Sequence, residues 1–340
     1  MDPKYSEEAE AYREKMVAFL GEHLPADWKG MGALSPEQLA TFTAEWRSIL
    51  SANSLLAPSW PAEYGGGGLT ALEKVIMAEE FLKAGVPTGG NNDAFSIQMV
   101  GNTILNWGSD EMKADFLPKI ISGEYVFCQG YSEPGAGSDL ASLRCRAEDK
   151  GDYFLINGQK IWTSGAQYAD WMFCLVRTDF EASKHSGISF VLVPMDQEGV
   201  TVKPISLISG NSPFCETFLD DAIAEKRDLI GTLNEGWTIG KRLLQHERSG
   251  QGGLSPTAAR PRPVGVTIDL EVDDVLKDYV NDPAIGPALR HEVIDWKMRS
   301  AAFRLTQKRA GEQARDGKTL ADTTSVFKLY GSTLAQDRQE

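Results

Sequence analysis

The residues most able to do chemistry form two short runs. The first is Gln129-Gly-Tyr-Ser-Glu-Pro-Gly-Ala-Gly-Ser-Asp-Leu140, which sets Pro134, Gly135 and Gly137 beside Ser132 and Ser138. Glycines let the backbone approach a ligand closely, and successive turn amides with hydroxyls form a nest for anions or flavin-type carbonyls. The second is Asn157-Gly-Gln-Lys-Ile-Trp-Thr-Ser164, in which Trp162 is followed by the hydroxyls of Thr163 and Ser164. Asn157-Gly158 between two strand-like stretches, 153–156 and 160–163, predicts a two-residue β-hairpin. A strand ending in a Trp and two hydroxyls offers a flat apolar wall beside hydrogen-bond donors, which suits a large planar cofactor.

Three blocks of sequence must position these runs. Residues 1–122 read as helical. Ala9, Tyr12, Met16 and Phe19 recur at helical spacing, Ser35-Pro36 is an N-cap followed by proline at the first helical position, and helices are expected over 70–83 and 92–107. The glycine run ending at Gly68 breaks them. Residues 123–232 change period: 171–176, 187–194, 200–203 and 215–220 are short runs rich in β-branched and aromatic residues. Strands without intervening helices predict a small antiparallel barrel or sandwich with the first run at its entrance. Helices return over 233–340. The first is amphipathic, with Trp237, Gly240, Leu244 and Glu247 or Arg248 along one stripe, and it stops at Gly250-Gln-Gly-Gly253 and Arg260-Pro-Arg-Pro263. Further helices are expected at 269–280 and 287–315, and the start of another at 324–339. The order is α+β: helical domain, β-barrel, helical bundle.

The two runs, in this order, resemble the acyl-CoA dehydrogenase family, whose pattern reads T/S-E-P-x-A-G-S-D and then N-G-x-K-x-W-I/T-T/S. Trp60-Pro-Ala-Glu-Tyr-Gly-Gly66 and Phe116-Leu-Pro-Lys-Ile-Ile-Ser-Gly-Glu124 add to the resemblance. It implies an FAD-dependent enzyme that converts an acyl-CoA thioester to the 2,3-enoyl thioester, works as a homodimer or homotetramer, and passes electrons to an electron-transfer flavoprotein. Carried over by position, Gln129, Tyr131 and Ser132 meet the flavin pyrimidine ring and Gly137 belongs to the same cofactor loop. Ser138 borders the flavin and meets the substrate's CoA portion. Trp162 covers the isoalloxazine ring, Thr163 stands beside it, and the Ser164 hydroxyl approaches flavin N5, where a donor would stabilise the reduced form.

Such a reaction also needs a base for the weakly acidic proton next to the thioester, and a desolvated carboxylate suits it because burial raises its pKa. Most family members keep that glutamate in a C-terminal loop after a Gly-Gly-x-Gly-Tyr-like run, which is not found in this sequence. Others, resembling isovaleryl- and long-chain-type enzymes, keep it on the first helix of the C-terminal domain. Gln245-His-Glu-Arg248 matches that position, making Glu247 the base, with Gln245 and Arg248 toward the CoA chain. The family's R-x-x-F-G is also missing. Asn281-Asp-Pro-Ala-Ile-Gly-Pro-Ala-Leu-Arg290 stands there, resembling bacterial members that act on steroid side chains and other bulky or branched acyl chains, with Arg290 as a candidate replacement cation. The expectation is a chain cut short or a shortened homologue. Two other readings remain open: a flavin monooxygenase or acyl-CoA oxidase of the same fold, and a non-catalytic subunit of a hetero-oligomer.

Composition narrows the rest. At 340 residues, 42% hydrophobic and 24% charged, the chain has the composition of a globular protein. A net charge of −14 opposes general affinity for nucleic acid or anionic membrane. No apolar run approaches a bilayer span, and the acidic first ten residues lack the apolar core of a signal peptide, so a cytoplasmic location is expected. Cys128, Cys145, Cys174 and Cys215 are scattered with no CxxC pair and read as reduced, buried thiols. His23, His185, His246 and His291 show no ligand spacing, so no metal is expected.

Overall fold

Alternation along one long strand sets the architecture around the two runs. In β3, Tyr153–Ile161, residues Phe154, Ile156 and Lys160 are buried while their odd-numbered neighbours are not. A computed structural model describes residues 7–90, 92–210, 212–251, 286–315 and 321–338. The chain divides into two units. One holds the described residues up to Glu45, Leu69–Thr88 and those from Arg248 on; the other holds Trp46–Gly68 and Gly89–Glu247.

The first unit is helical. Helix α1, Glu7–His23, buries Ala9, Tyr12, Met16 and Leu20, so the inward stripe ends on Leu20, while Phe19 stacks on His23 and Phe81. Helix α2, Pro36–Ala52, begins in this unit, with Gln38 N–H donating to the Ser35 hydroxyl. Helix α3, Ala71–Ala84, is capped by Thr70, whose hydroxyl accepts from Glu73 N–H while the Glu73 carboxylate accepts in return. The remaining described helices of this unit come last in the chain.

The second unit carries the sheet. A π-helical stretch, Ala94–Gly101, runs into α4, Asn102–Trp107, and is followed by α5, Asp110–Ser122. The Ser96 hydroxyl accepts from Phe127 N–H, and Asn92 Nδ2 donates to Phe127 O. The start of β1, Phe127–Gly130, is thereby fixed on this helical segment. The other strands are β2 Arg146–Asp149, β4 Trp171–Arg177, β5 Ile188–Pro194, β6 Val200–Ile205, β7 Phe214–Glu225 and β8 Leu229–Ile230. Beneath them, Cys128, Cys145, Cys174 and Cys215 are free thiols, all buried in one core with Phe154, Ile156 and Val191.

Two expectations need correction here. The strands do not close into a barrel: they form one eight-stranded sheet in the order β6-β7-β3-β2-β4-β5-β8, with β1 also paired to β4. Nor is it wholly antiparallel, since β1 and β2 both run parallel to β4. Strand patterns fix which face is buried and leave pairing partners open. The second correction concerns Asn157-Gly158, which is no turn. It lies inside β3, and both flanks pair with the same strand, β7, across a register shift between Ile156 and Gly158. Asn157 exchanges side-chain hydrogen bonds with Asp221 on β7. A Cβ on Gly158 would stand 2.8 Å from Cys145 Cα, so the glycine serves a close strand approach. The actual reversal is Lys150-Gly-Asp-Tyr153, with Lys150 N–H donating to Tyr153 O and Gly151 at φ 91°.

After the sheet comes α6, Gly236–Gln251. Then α7, Pro287–Arg315, and α8, Ala321–Asp337, pack through Trp296 Nε1 donating to Leu334 O and through Phe303 against Phe327. The helix expected at 269–280 and the stretch 281–285 lie outside the described residues. No described helix is long and apolar enough to cross a membrane.

Candidate active site

The two runs are joined by a buried ion pair. Because β3 is continuous, Lys160 falls on the same inward face as Phe154 and Ile156 and is fully buried. Its ammonium donates to Glu133 Oε1 at 2.8 Å, Leu175 O at 2.7 Å and Tyr131 O at 3.2 Å. Glu133 in turn accepts from Cys145 N–H at 2.9 Å and Arg144 N–H at 2.7 Å. Every donor on the lysine and both carboxylate oxygens have partners, the condition under which a buried pair is tolerated. Burial works against the Lys160 charge, but Cys174, Cys145 and Glu133 outweigh it and hold its pKa above the ordinary value. Burial pushes the Cys174 thiol well up, and its Sγ donates to Leu175 O at 3.7 Å.

Around this pair the first run folds into a tight turn, with Glu133 and Ala136 exchanging backbone hydrogen bonds at 3.0 Å each. Pro134, Gly135, Gly137 and Ser138 are exposed at its tip, and open space lies where a Cβ of Gly135 or Gly137 would stand. Gln129 lies on β1 opposite Phe173. Tyr131 is buried, its ring edge-on to Phe173 and Phe190. Ser132 O accepts from Ile161 N–H at 2.9 Å, which brings the first run to the residue before Trp162. An open cleft of about 360 Å³ borders Pro134, Gly135, Arg144 and Gln159 but does not include Trp162.

Trp162 is the unusual residue. Its φ is 60°, a left-handed backbone that a bulky side chain rarely adopts. Its neighbours hold it there. Thr163 N–H donates to Cys215 O at 3.0 Å, the buried Thr163 hydroxyl donates to the same carbonyl at 2.9 Å and meets Thr217, and Gly165 N–H donates to Pro213 O. Trp162 is 55% exposed, and its indole rests edge-on against Phe214. Thr163 thus faces inward with its hydroxyl engaged, while Ser164 is half-buried beside the indole-bearing residue.

Helix α6 is seated closely on the sheet. Asn234, at φ 68°, donates from its backbone to the Ser189 hydroxyl and accepts from Thr178 Oγ1 at 2.6 Å. A Cβ on Gly236 would lie 2.4 Å from Phe190 N, and one on Gly240 would touch Leu175. Gln245, Glu247 and Arg248 follow on the second half of this helix, and their side chains lie outside the described residues. Arg290 stands in the first turn of α7.

Two family models match the chain: the acyl-CoA dehydrogenase N-terminal domain over residues 6–124 and the middle domain over 128–222. The acyl-CoA dehydrogenase FadE26 of Mycobacterium tuberculosis is 38% identical over 295 residues, covering 83% of this chain and 70% of that protein. The chain belongs to the acyl-CoA dehydrogenase family. The acyl-CoA dehydrogenase IpdE1 of Mycolicibacterium smegmatis is also 38% identical, over 71% of this chain and 64% of its own length. FadE34 of Mycobacterium tuberculosis is 34% identical, over 92% of this chain and 43% of its own length. The chain therefore spans less than two thirds of some of the family members it matches. Among solved structures, the steroid ACAD Tcur3481-Tcur3483 superposes with a TM-score of 0.77 at 31% identity, covering all of this chain and 84% of that one. The ChsE4-ChsE5 complex of Mycobacterium tuberculosis gives 0.72 at 28% identity, covering 99% and 84%.

Sequence reasoning passed over Glu133 and Lys160, which belong to the quoted family runs. Period-two alternation through 154, 156 and 160 marks Lys160 as inward once the strand is read without a turn. It also passed over Arg177, at the end of β4, whose side chain, among the described residues, bonds only backbone carbonyls.

Proposed function

We propose that this chain is an FAD-dependent acyl-CoA dehydrogenase that forms the 2,3-enoyl-CoA from a bulky or branched acyl-CoA, is cytoplasmic, and passes electrons to an electron-transfer flavoprotein. The observation that carries the reading is Trp162: an exposed residue on a strained backbone, held by Thr163 and Gly165, which bond Cys215 and Pro213, and next to Ile161, which bonds Ser132 of the glycine-bearing run. Strain that the surroundings enforce is a pointer to function. The residues fit the cofactor, because an exposed aromatic face, a half-buried hydroxyl at Ser164 and open space above Gly135 and Gly137 together suit a large planar ring with a polar edge.

FAD, when bound, supplies the two-electron acceptor. The backbone at Gln129 and Tyr131 and the hydroxyl of Ser132 would hold its polar edge, Gly137 would leave room for it, Trp162 would supply an apolar wall, and Ser164 would offer a hydroxyl donor. Thr163 acts from beneath, holding Trp162 and Ser164 in place. Ser138 borders both the flavin and the CoA portion of the substrate. Glu247 removes the proton next to the thioester, with Gln245 and Arg248 along the CoA chain. In sequence order the assignment divides the chain into a helical domain 1–122, a strand domain 123–232 and a helical domain 233–340, assembled as a homodimer or homotetramer. A non-catalytic role in a hetero-oligomer is the second reading, favoured by likeness to the two-protein ChsE4-ChsE5 complex.

The test is the visible absorption spectrum of the purified protein before and after anaerobic addition of a panel of acyl-CoA thioesters. A flavin spectrum bleached by one member is the expected result, and Glu247→Gln should keep the spectrum and lose the bleaching. A colourless protein that copurifies with a homologous chain would instead favour the second reading.

A further inference from the structure

The end of β4 carries a cation that belongs to neither run. Arg177 is 7% exposed, and its guanidinium hydrogen-bonds backbone carbonyls. Nη2 donates to Ala141 O at 2.7 Å, Nη1 to Ser186 O at 3.0 Å and Lys184 O at 3.1 Å, and Nε to Leu143 O at 3.4 Å. Burial lowers its pKa from the usual arginine value, against the opposing pull of the Glu133 and Asp179 charges, and the hydrogen bonds themselves all go to carbonyl dipoles. A planar fork of five donors can hold four carbonyls on two segments at once; an ammonium, with three donors at one point, cannot.

Those carbonyls belong to two loops. One follows Ser138 directly, and the other joins β4 to β5. On their solvent side the same loops are tied by Lys184 and Asp139 at 2.5 Å, with the Ser142 hydroxyl also on Asp139. His185, between the two carbonyls of the second loop, packs 5.0 Å from the Trp237 ring on α6. Thr178, the residue after Arg177, holds Asn234 at the start of that helix. One dipeptide at the end of one strand thus gathers the loop after Ser138, the β4–β5 loop and the root of α6.

We propose that Arg177 is a positioning residue for the thioester substrate: by holding Ala141 and Leu143 against Lys184 and Ser186 it fixes the opening at which Ser138 meets the CoA portion. The inference rests on the substrate-binding role proposed above for Ser138.

The test compares the purified full chain with its flavin as wild type, Arg177→Gln and Arg177→Lys. Amide hydrogen exchange is followed at 139–145 and 183–187, together with binding of free coenzyme A and the kinetics of whichever acyl-CoA bleaches the flavin. In Arg177→Gln both loops should gain exchange together while β5 and β7 keep their protection. Coenzyme A binding and KM should weaken about ten-fold with kcat within about two-fold and the flavin spectrum kept, the pattern of lost binding without lost chemistry. Arg177→Lys should fall between, and it carries the same readouts if the glutamine variant does not fold. Exchange confined to one loop, or a fall in kcat with KM unchanged, would overturn the proposal. A wild-type chain that binds no coenzyme A and bleaches with no thioester would refute the substrate reading itself, leaving the paired exchange response to decide the coupling of the loops.

Discussion

Lys160 and Arg177 are both cations sunk in the same sheet, and they are accommodated in opposite ways. Lys160, on β3, has a carboxylate, Glu133, in the turn that follows β1, and so joins the two runs of sequence. Among the described residues Arg177 hydrogen-bonds only backbone carbonyls, and it joins two loops. The difference teaches what each position can tolerate. An ion pair leaves a bare charge behind when one partner goes, whereas a carbonyl cluster leaves neutral dipoles beside exposed loops that water can reach. The first arrangement is suited to fixing a rigid motif, the second to setting the spacing of segments that border solvent.

The sharpest way to break this comparison is Glu133→Leu, which strands the Lys160 ammonium. Chemical denaturation should show a loss of about 3–5 kcal/mol, most of it recovered in Glu133→Leu/Lys160→Met. Asp228 supplies a third case, a carboxyl only 4% exposed whose burial lifts its pKa to about 6. A carboxyl raised above its unfolded value, about 3.9, favours folding in its protonated form. That contribution is full below the unfolded value and is lost as pH rises through about 6. Asp228→Asn should therefore gain up to about 3 kcal/mol on the wild type at pH 8, with the advantage vanishing toward pH 4 in the same denaturation series. Arg177→Met should lose less than the stranded lysine, about 1–3 kcal/mol. Trp162→Gly should raise the stability of the flavin-free protein by about 1 kcal/mol while weakening flavin retention, read by melting and by the absorbance of the bound cofactor. The smallest effect is expected from Lys184→Ala. This exposed partner of Asp139 should leave the denaturation midpoint where it was, because surface pairs contribute little.

How much of this was legible in the sequence depended on how local the physics is. Helix starts were readable, since Ser35 and Thr70 cap the residues that follow them. The two runs were readable because their glycines, hydroxyls and Trp162 sit within a few positions of each other. Asn157-Gly158 misled because the same dipeptide serves a hairpin turn and a bulge. Only the approach of Cys145 and the pairing of both flanks with β7 separate the two cases, and both partners are distant in sequence. The barrel expectation failed for the same reason, as strand order is decided by partners that alternation does not name. Arg177 was invisible because its partners are backbone carbonyls, which every residue carries.

The left-handed backbone at Trp162 has a consequence for anyone who evolves this protein in the laboratory. A library screened for heat resistance alone will collect glycine and asparagine at position 162, since both relax the backbone that tryptophan strains. On the proposed flavin reading the survivors would be sturdier and paler, so colour has to be scored alongside survival.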